Sequence, residues 1–126
     1  MNGDALTPVE IESKLRTLVN ELGRSRVALA QARDLEVNAK HEYKRARRRA
    51  LLAGQAPKVA RGGTTTAERD AWVDEQVSDL EFAYDRATVI RESAQDHLRT
   101  LRDQAEVVRS LGVSVRQAYE LAGIHQ

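Results

Sequence analysis

The distribution of helix breakers constrains this chain more than any other feature of its sequence. Pro8 and Pro57 are the only prolines, so two long stretches carry no strong breaker. Alanine, leucine, arginine and glutamate dominate, charged residues make up 31% of the chain, and aromatic residues only 4%. This composition is typical of long helices and coiled coils. The sequence therefore predicts an all-α fold in one domain.

A capping box marks the start of the first predicted helix. Thr7 stands before Pro8, and Glu10 follows three residues after Thr7. The Thr7 hydroxyl can accept from the Glu10 amide, and proline suits the first helical position because that amide has no helical partner. Apolar residues then recur at helical spacing as far as Ala50. We predict helix 1 over residues 8–53, with Gly23 as a point where it can kink.

A second capping box follows a predicted loop over residues 54–65, which contains Pro57, Gly62 and Gly63. Thr65 is its cap, and Glu68 stands three residues on. Apolar residues then alternate at spacings of three and four, close to a coiled-coil seam. We predict helix 2 over residues 66–111. Gly112 can end it, which leaves residues 112–126 as a C-terminal extension or a short third helix.

A loop of this length makes the two helices antiparallel neighbours. Setting the loop ends side by side gives a register in which paired residue numbers sum to about 119, so that Leu22 lies near Leu98 and Leu29 near Ile90. Apolar residues then face each other along both helices. We predict a long antiparallel helical hairpin, similar to a coiled coil. The residues expected to be buried between the helices are Leu22, Leu29, Leu35, Tyr84, Ile90, Leu98 and Leu101.

A single hairpin shields only part of each apolar stripe. Burying an aliphatic side chain contributes about 1.5 to 3 kcal/mol, so uncovered apolar residues favour association. Two hairpins can surround one core as a four-helix bundle. We therefore predict a homo-oligomer, with an interface that includes Trp72, Phe82, Val89 and Leu111.

The strongest local feature is a basic segment on either side of the predicted turn. It comprises Lys44, Arg45, Arg47, Arg48, Arg49, Lys58 and Arg61. Such a cluster can neutralise phosphates and bind nucleic acid without sequence preference. The alternative is self-neutralisation, because the acidic start of helix 2 would lie beside these arginines, and both charge groups complement the helix dipoles.

Catalytic and cofactor motifs are absent from the sequence. None of the three histidines follows a Glu-x-x-His pattern, there is no cysteine, and no phosphate-binding loop or nucleophile elbow occurs. We expect no enzyme activity, cofactor, metal or small-molecule substrate. Residues 111–119 are similar to the turn and recognition helix of a helix-turn-helix, a weaker alternative. With no signal peptide or apolar span in the sequence, we expect a cytoplasmic protein with no membrane contact.

Several short motifs resemble those of small helical proteins from tailed phages of actinobacteria and their prophages. These are a Tyr-x-x-Ala step from Tyr43 to Ala46, an Ala-Glu-Arg-Asp opening of helix 2 from Ala67 to Asp70, and Arg109-Ser110 near its end. Such proteins are often encoded among early genes for DNA replication and recombination. The resemblance implies an accessory role and no particular functional residue.

We therefore expect a non-enzymatic, oligomeric helical interaction protein, an accessory factor in phage DNA replication or recombination located in the host cytoplasm. It would act by binding a protein partner or, through the basic segment, nucleic acid. Two alternatives stay open: a structural scaffold or assembly protein, and a host-directed inhibitor.

Overall fold

Three helices make up nearly all of the chain that the structure describes. The computed structural model describes residues 6–124, apart from the side chain of Ile124. Helix α1 spans Pro8–Leu52, α2 spans Thr66–Gln76 and α3 spans Ser78–Ile124. Over these residues the chain is 86% helical with no strand, and an isolated bridge joins Val59 to Thr64. The predicted all-α fold class is confirmed.

Threonine caps start α1 and α2, as the sequence predicts. The Glu10 amide donates to the Thr7 hydroxyl at 3.2 Å, and the Glu68 amide donates to the Thr65 hydroxyl at 3.1 Å. Each bond satisfies one of the amide groups that a helix leaves without a partner in its first turn.

The loop between α1 and α2 closes through a tight turn. The Gly63 amide donates to the Ala60 carbonyl at 3.0 Å, and the Ala60 amide donates to the Thr64 carbonyl at 3.2 Å. Gly62 occupies the left-handed region with φ of 75°, a conformation that glycine adopts without steric cost. The glycines therefore shape this loop, which also carries Lys58 and Arg61.

The predicted helix 2 is interrupted near its start, at Val77. This residue leaves the helical conformation with φ of −114° and ψ of 13°, and it separates α2 from α3. The Ser78 hydroxyl donates to the Glu75 carbonyl at 3.2 Å, a local bond that competes with the helical pattern. Val77 is buried, so packing holds the interruption in place.

Gly112 and Gly23, where the sequence left a helix break open, do not break their helices. Helix α3 runs through Gly112 to Ile124, so no separate third helix, C-terminal extension or helix-turn-helix forms in its described part. A side chain at Gly112 would bring a Cβ to 3.0 Å from Cγ2 of Ile11 on α1. Glycine is therefore present for close helix contact, and packing outweighs its low helix propensity of about 1 kcal/mol.

The chain divides into two compact units. Of the described residues, unit 1 holds 6–29 and 94–124, and unit 2 holds 30–93. In unit 1, α1 and α3 pack antiparallel, with Ile11 close to Gly112. The buried apolar residues of unit 1 are Ile11, Leu29, Leu98, Leu101 and Ala105.

Unit 2 has its own core, formed by the second half of α1, by α2 and by the start of α3. Its buried apolar residues are Ala32, Val73 and Val77, and Val73 is fully enclosed. Helices α1 and α3 again run antiparallel, since Glu36 pairs with Arg91 and Tyr43 contacts Glu81. Within each unit the two long helices pack as in a helical hairpin, as predicted.

The register between α1 and α3 differs from the predicted one. In unit 2, Glu36 was expected level with Ala83 but pairs with Arg91, about two turns further along α3. In unit 1, Ile11 lies against Gly112 instead of Val108, about one turn further along. The apolar residues repeat every three or four positions, so a shift of one turn gives another apolar match and the sequence pattern alone does not fix the register.

The structure confirms some of the predicted buried positions and contradicts others. Leu29, Leu98 and Leu101 are buried as expected, whereas Leu22 and Tyr84 are half-buried. Leu35 and Ile90 were predicted to be buried and are exposed, at 60% and 47%.

Gly23 and Gly112 give a matched pair of stability predictions. Gly23→Ala should raise the free energy of unfolding by about 0.5 to 1 kcal/mol, because nothing lies within 4 Å of the added Cβ and alanine favours the helix. Gly112→Ala should gain less, because Ile11 must move aside. Urea denaturation of both variants measures the difference, and an equal gain at the two positions would contradict the close contact at Gly112.

Candidate functional site

The structure places the whole basic segment in unit 2. Five of its residues lie in the last turns of α1, and Lys58 and Arg61 lie in the loop that connects α1 to α2. Arg47 is half-buried, and the other six side chains are exposed.

Arg47 is the member of the basic segment that pairs with an acidic residue of α2. Its guanidinium donates to the Asp74 carboxylate, and this hydrogen bond raises the pKa of Arg47 above its ordinary value. The other six basic residues form no ion pair within 4.0 Å among the residues that the structure describes. On α2 itself, Arg69 lies 3.4 Å from Asp70 and engages a second acid locally. Within the basic segment, the charge of Arg47 is thus neutralised by an acidic side chain of α2.

Polar contacts between α1 and α3 give unit 2 a defined register. Arg91 donates from Nε and Nη2 to the Glu36 carboxylate at 3.1 to 3.2 Å, a forked arrangement in which both partners are partly shielded from solvent. The hydrogen bond from Arg91 lowers the pKa of Glu36, and the same contact raises the pKa of Arg91. Glu36 therefore stays ionised to lower pH than an ordinary glutamate.

Tyr43, which follows Glu36 on α1, makes a second polar contact with α3. Its hydroxyl donates to Glu81 at 2.9 Å, and its ring stacks on Tyr84 with the ring centres 6.1 Å apart. The hydrogen bond to Glu81 raises the pKa of the Tyr43 phenol, since ionisation would place a second negative charge beside the carboxylate.

The predicted oligomer interface is distributed over both units. Trp72 is half-buried on α2, while Phe82 and Val89 are exposed on α3, at 67% and 65%. Phe82 and Val89 are seven residues apart and therefore lie on one face of α3. Leu111 is also exposed but belongs to unit 1. The four residues are thus not one patch within either unit.

A groove in unit 1 is a feature that sequence reasoning missed. It has a volume of about 580 Å³ and lies between α1 and α3, with a mostly apolar surface that includes Leu18, Val107 and Val108. Its lining also includes Lys14 of α1 and Asp103 of α3. Val107 could be recognised from the sequence as a surplus apolar residue. The groove itself could not be recognised from the sequence, because it depends on which part of α3 lies beside residues 13–18.

The described residues contain no group of three or more side chains suited to hold a metal ion. Between residues 6 and 124, no helix has a stretch both long and apolar enough to cross a membrane. His41 and His97 are exposed, and His125 lies outside the described residues. The surface features to explain are therefore the basic segment, the exposed apolar residues and the groove.

Comparison of the chain with protein-family models, with curated proteins and with solved structures found no match. The function of the chain is therefore inferred from its own residues and contacts.

The ion pair in unit 2 predicts a specific titration. Glu36 should titrate below its ordinary pKa of 4.5, so its contribution to stability is present above that pH and is lost as the pH falls through the lower value. Arg91→Gln should return the pKa of Glu36 toward its ordinary value. Arg86→Gln, an exposed position on the same helix, serves as control and should leave it unchanged. NMR titration of the side-chain carboxyl measures each, and an unshifted Glu36 in the wild type would contradict the pair.

Proposed function

We propose that this chain is a non-enzymatic helical interaction protein that self-associates and, in the assembled form, binds a protein partner. The observation that carries the proposal is the exposure of large apolar side chains along both long helices. Phe82, Val89, Val107 and Leu111 on α3 are all more than 40% exposed, and Val19, Val27 and Leu35 on α1 more than 55%.

The spacing of these residues matters more than their number. Single exposed apolar residues are common on protein surfaces and need no explanation. Here Phe82 and Val89 share one face of α3, and Val107 and Leu111 are four residues apart and share another stretch of it. Exposed apolar side chains that share a helix face in this way favour protein association. Each side chain that becomes buried contributes about 1.5 to 3 kcal/mol, so a few of them suffice to hold two copies together.

Self-association gives the first functional prediction. Light scattering coupled to size-exclusion chromatography should report a dimer or larger species at tens of micromolar protein. The melting temperature should rise with protein concentration, because mass action favours the assembled form. A monomer whose melting temperature does not depend on concentration would refute the proposal.

Nucleic-acid binding by the basic segment is a second candidate function. The specific observation in its favour is that Arg47 alone is engaged by an α2 acid, while Lys44, Arg45, Arg48, Arg49, Lys58 and Arg61 are exposed with no ion pair among the described residues. Exposed ion pairs contribute only about 0 to 1 kcal/mol, so phosphate could also displace the Arg47 pair. Binding of this kind is electrostatic and tolerant of sequence.

Salt dependence and a matched variant test this candidate. With about four phosphate contacts, the log-log slope of affinity against salt for duplex DNA should be near −4, from roughly 0.9 per phosphate. Changing Arg45, Arg48 and Arg49 together to Gln should abolish the mobility shift and leave the melting temperature nearly unchanged. Changing Arg26, Arg33 and Arg116 to Gln removes the same charge elsewhere and should leave the shift intact. Absence of a shift for the wild-type protein at low salt would eliminate the candidate.

The biological setting that we propose is an accessory role in phage DNA replication or recombination, within the host cytoplasm. It is supported only by the short motifs shared with small helical phage proteins. A structural scaffold and a host-directed inhibitor are the alternatives. Large ordered assemblies seen by electron microscopy would favour the scaffold, and capture of a host enzyme whose activity then falls would favour the inhibitor.

A further inference from the structure

His41 extends the basic segment by one turn along the exposed side of α1. Lys44 and Arg45 follow it by three and four residues, and Arg48 follows it by seven, within one continuous helix. Side chains at these spacings share one face of a helix. All four are exposed, and together they cover about 10 Å along the helix at 1.5 Å per residue. The structure thus places an imidazole beside a lysine and two arginines.

This face points away from the helices that pack on α1 in unit 2. Tyr43 marks the packed side, since its hydroxyl donates to Glu81 of α3. Arg47 lies on the same side and donates to Asp74 of α2. His41 precedes Tyr43 by two residues, which is about 200° around the helix at 3.6 residues per turn. The two acids that contact α1 here are therefore engaged on the far side of the helix from His41.

The charges that surround His41 on its own helix are basic. The residues one turn before it on the same face, Val37 and Asn38, are uncharged. Glu42 is adjacent in sequence but lies about 100° around the helix, and Asp34 stands about two turns earlier. His41 forms no ion pair within 4.0 Å with any residue that the structure describes. An anion that reaches this face therefore meets no carboxylate within one turn of the imidazole.

Histidine is the side chain whose charge ordinarily changes between about pH 5 and 8, whereas carboxylates change charge below this range and lysine and arginine above it. We propose that His41 is a further phosphate contact of the nucleic-acid site, and that binding of duplex DNA to this face takes up a proton from the solvent at His41. This inference rests on the nucleic-acid binding given above as the second candidate function, and it adds a residue and a pH dependence to that site.

The direction of the pH dependence follows from the chemistry of the imidazole. In its protonated form the ring carries a positive charge and donates from both nitrogens, so it can form a charge-assisted hydrogen bond with a phosphate oxygen. The neutral ring has one N–H and releases no counterion when it meets a phosphate. Binding is therefore tighter in acid and weakens as the pH rises and the imidazole loses its proton.

Duplex DNA is the polyanion that suits this face. Proteins that hold single strands stack the bases on aromatic side chains. Tyr43 is the aromatic residue within residues 41–48, but it is turned toward α3 and stacks on Tyr84. No platform for unpaired bases therefore stands among the cations of the face. Contacts to backbone phosphates alone suffice for a duplex and carry no sequence preference.

A salt series at two pH values measures the proposed coupling. Fluorescence anisotropy with a labelled duplex DNA of mixed sequence gives the log-log slope of affinity against salt at about pH 5.5 and about pH 8. For the wild-type protein the slope should be steeper by about 0.9 in acid, because one more phosphate is neutralised. At about 0.1 M salt this difference corresponds to binding that is about fivefold to tenfold tighter in acid.

Substitutions at His41 separate this contact from general effects of pH. His41→Gln keeps a polar side chain but cannot take up a proton, so its slope should not change with pH. His41→Arg carries a permanent charge and should show the steeper slope and tighter binding at both pH values. His97→Gln is the matched control: His97 is also exposed, lies on α3 in unit 1 and has no basic residue three or four positions away, so the pH dependence should remain. Circular dichroism should show unchanged helix content for all three variants, because both positions are exposed.

The outcomes distinguish this inference from the function on which it rests. A wild-type protein that binds no duplex at low salt at either pH refutes the nucleic-acid candidate and His41 with it. Wild-type binding whose slope does not change with pH, or a pH dependence that survives His41→Gln, overturns the role of His41 and leaves binding by the other basic residues standing. The same conclusion follows if His41→Arg binds no more tightly than the wild type at about pH 8.

Discussion

The packing of α1 on α3 is the interaction on which the rest of the structure depends. In unit 1 it buries Ile11, Leu29, Leu98, Leu101 and Ala105, while the buried apolar residues of unit 2 are Ala32, Val73 and Val77. Two of these eight residues are alanines, which allow close helix approach but contribute little apolar area. A pair of helices with so few large buried side chains leaves much apolar surface uncovered. The exposed stripe and the groove of unit 1 are direct consequences of this thin core.

In unit 2, polar contacts specify the register between α1 and α3, which the apolar pattern leaves undefined. Alanine, leucine and valine at helical spacing accept several registers, each about one turn apart. The forked Arg91–Glu36 pair and the Tyr43–Glu81 hydrogen bond each need one particular partner, so they distinguish between registers that are otherwise similar in burial. A similar role is known for single polar residues in coiled coils, which specify alignment at some cost in stability.

Charge on the surface is organised differently in the two units. In unit 2 the basic segment has one side chain tied to an acid and six exposed, which makes it a candidate for phosphate contact. Unit 1 instead offers single opposite charges on either side of an apolar groove. The first pattern suits a polyanion, because many like charges neutralise many phosphates.

The sequence by itself determined the helical class and the starts of α1 and α2, because threonine caps and missing prolines act locally on the backbone. It also determined that apolar surface would remain in excess. Only the tertiary structure decided the register, the exposure of Leu35 and Ile90, and the existence of the groove. The same holds for the break at Val77 and the uninterrupted helix at Gly112. A buried valine and a close contact with Ile11 settle those two positions, since packing against another helix exceeds local propensity there.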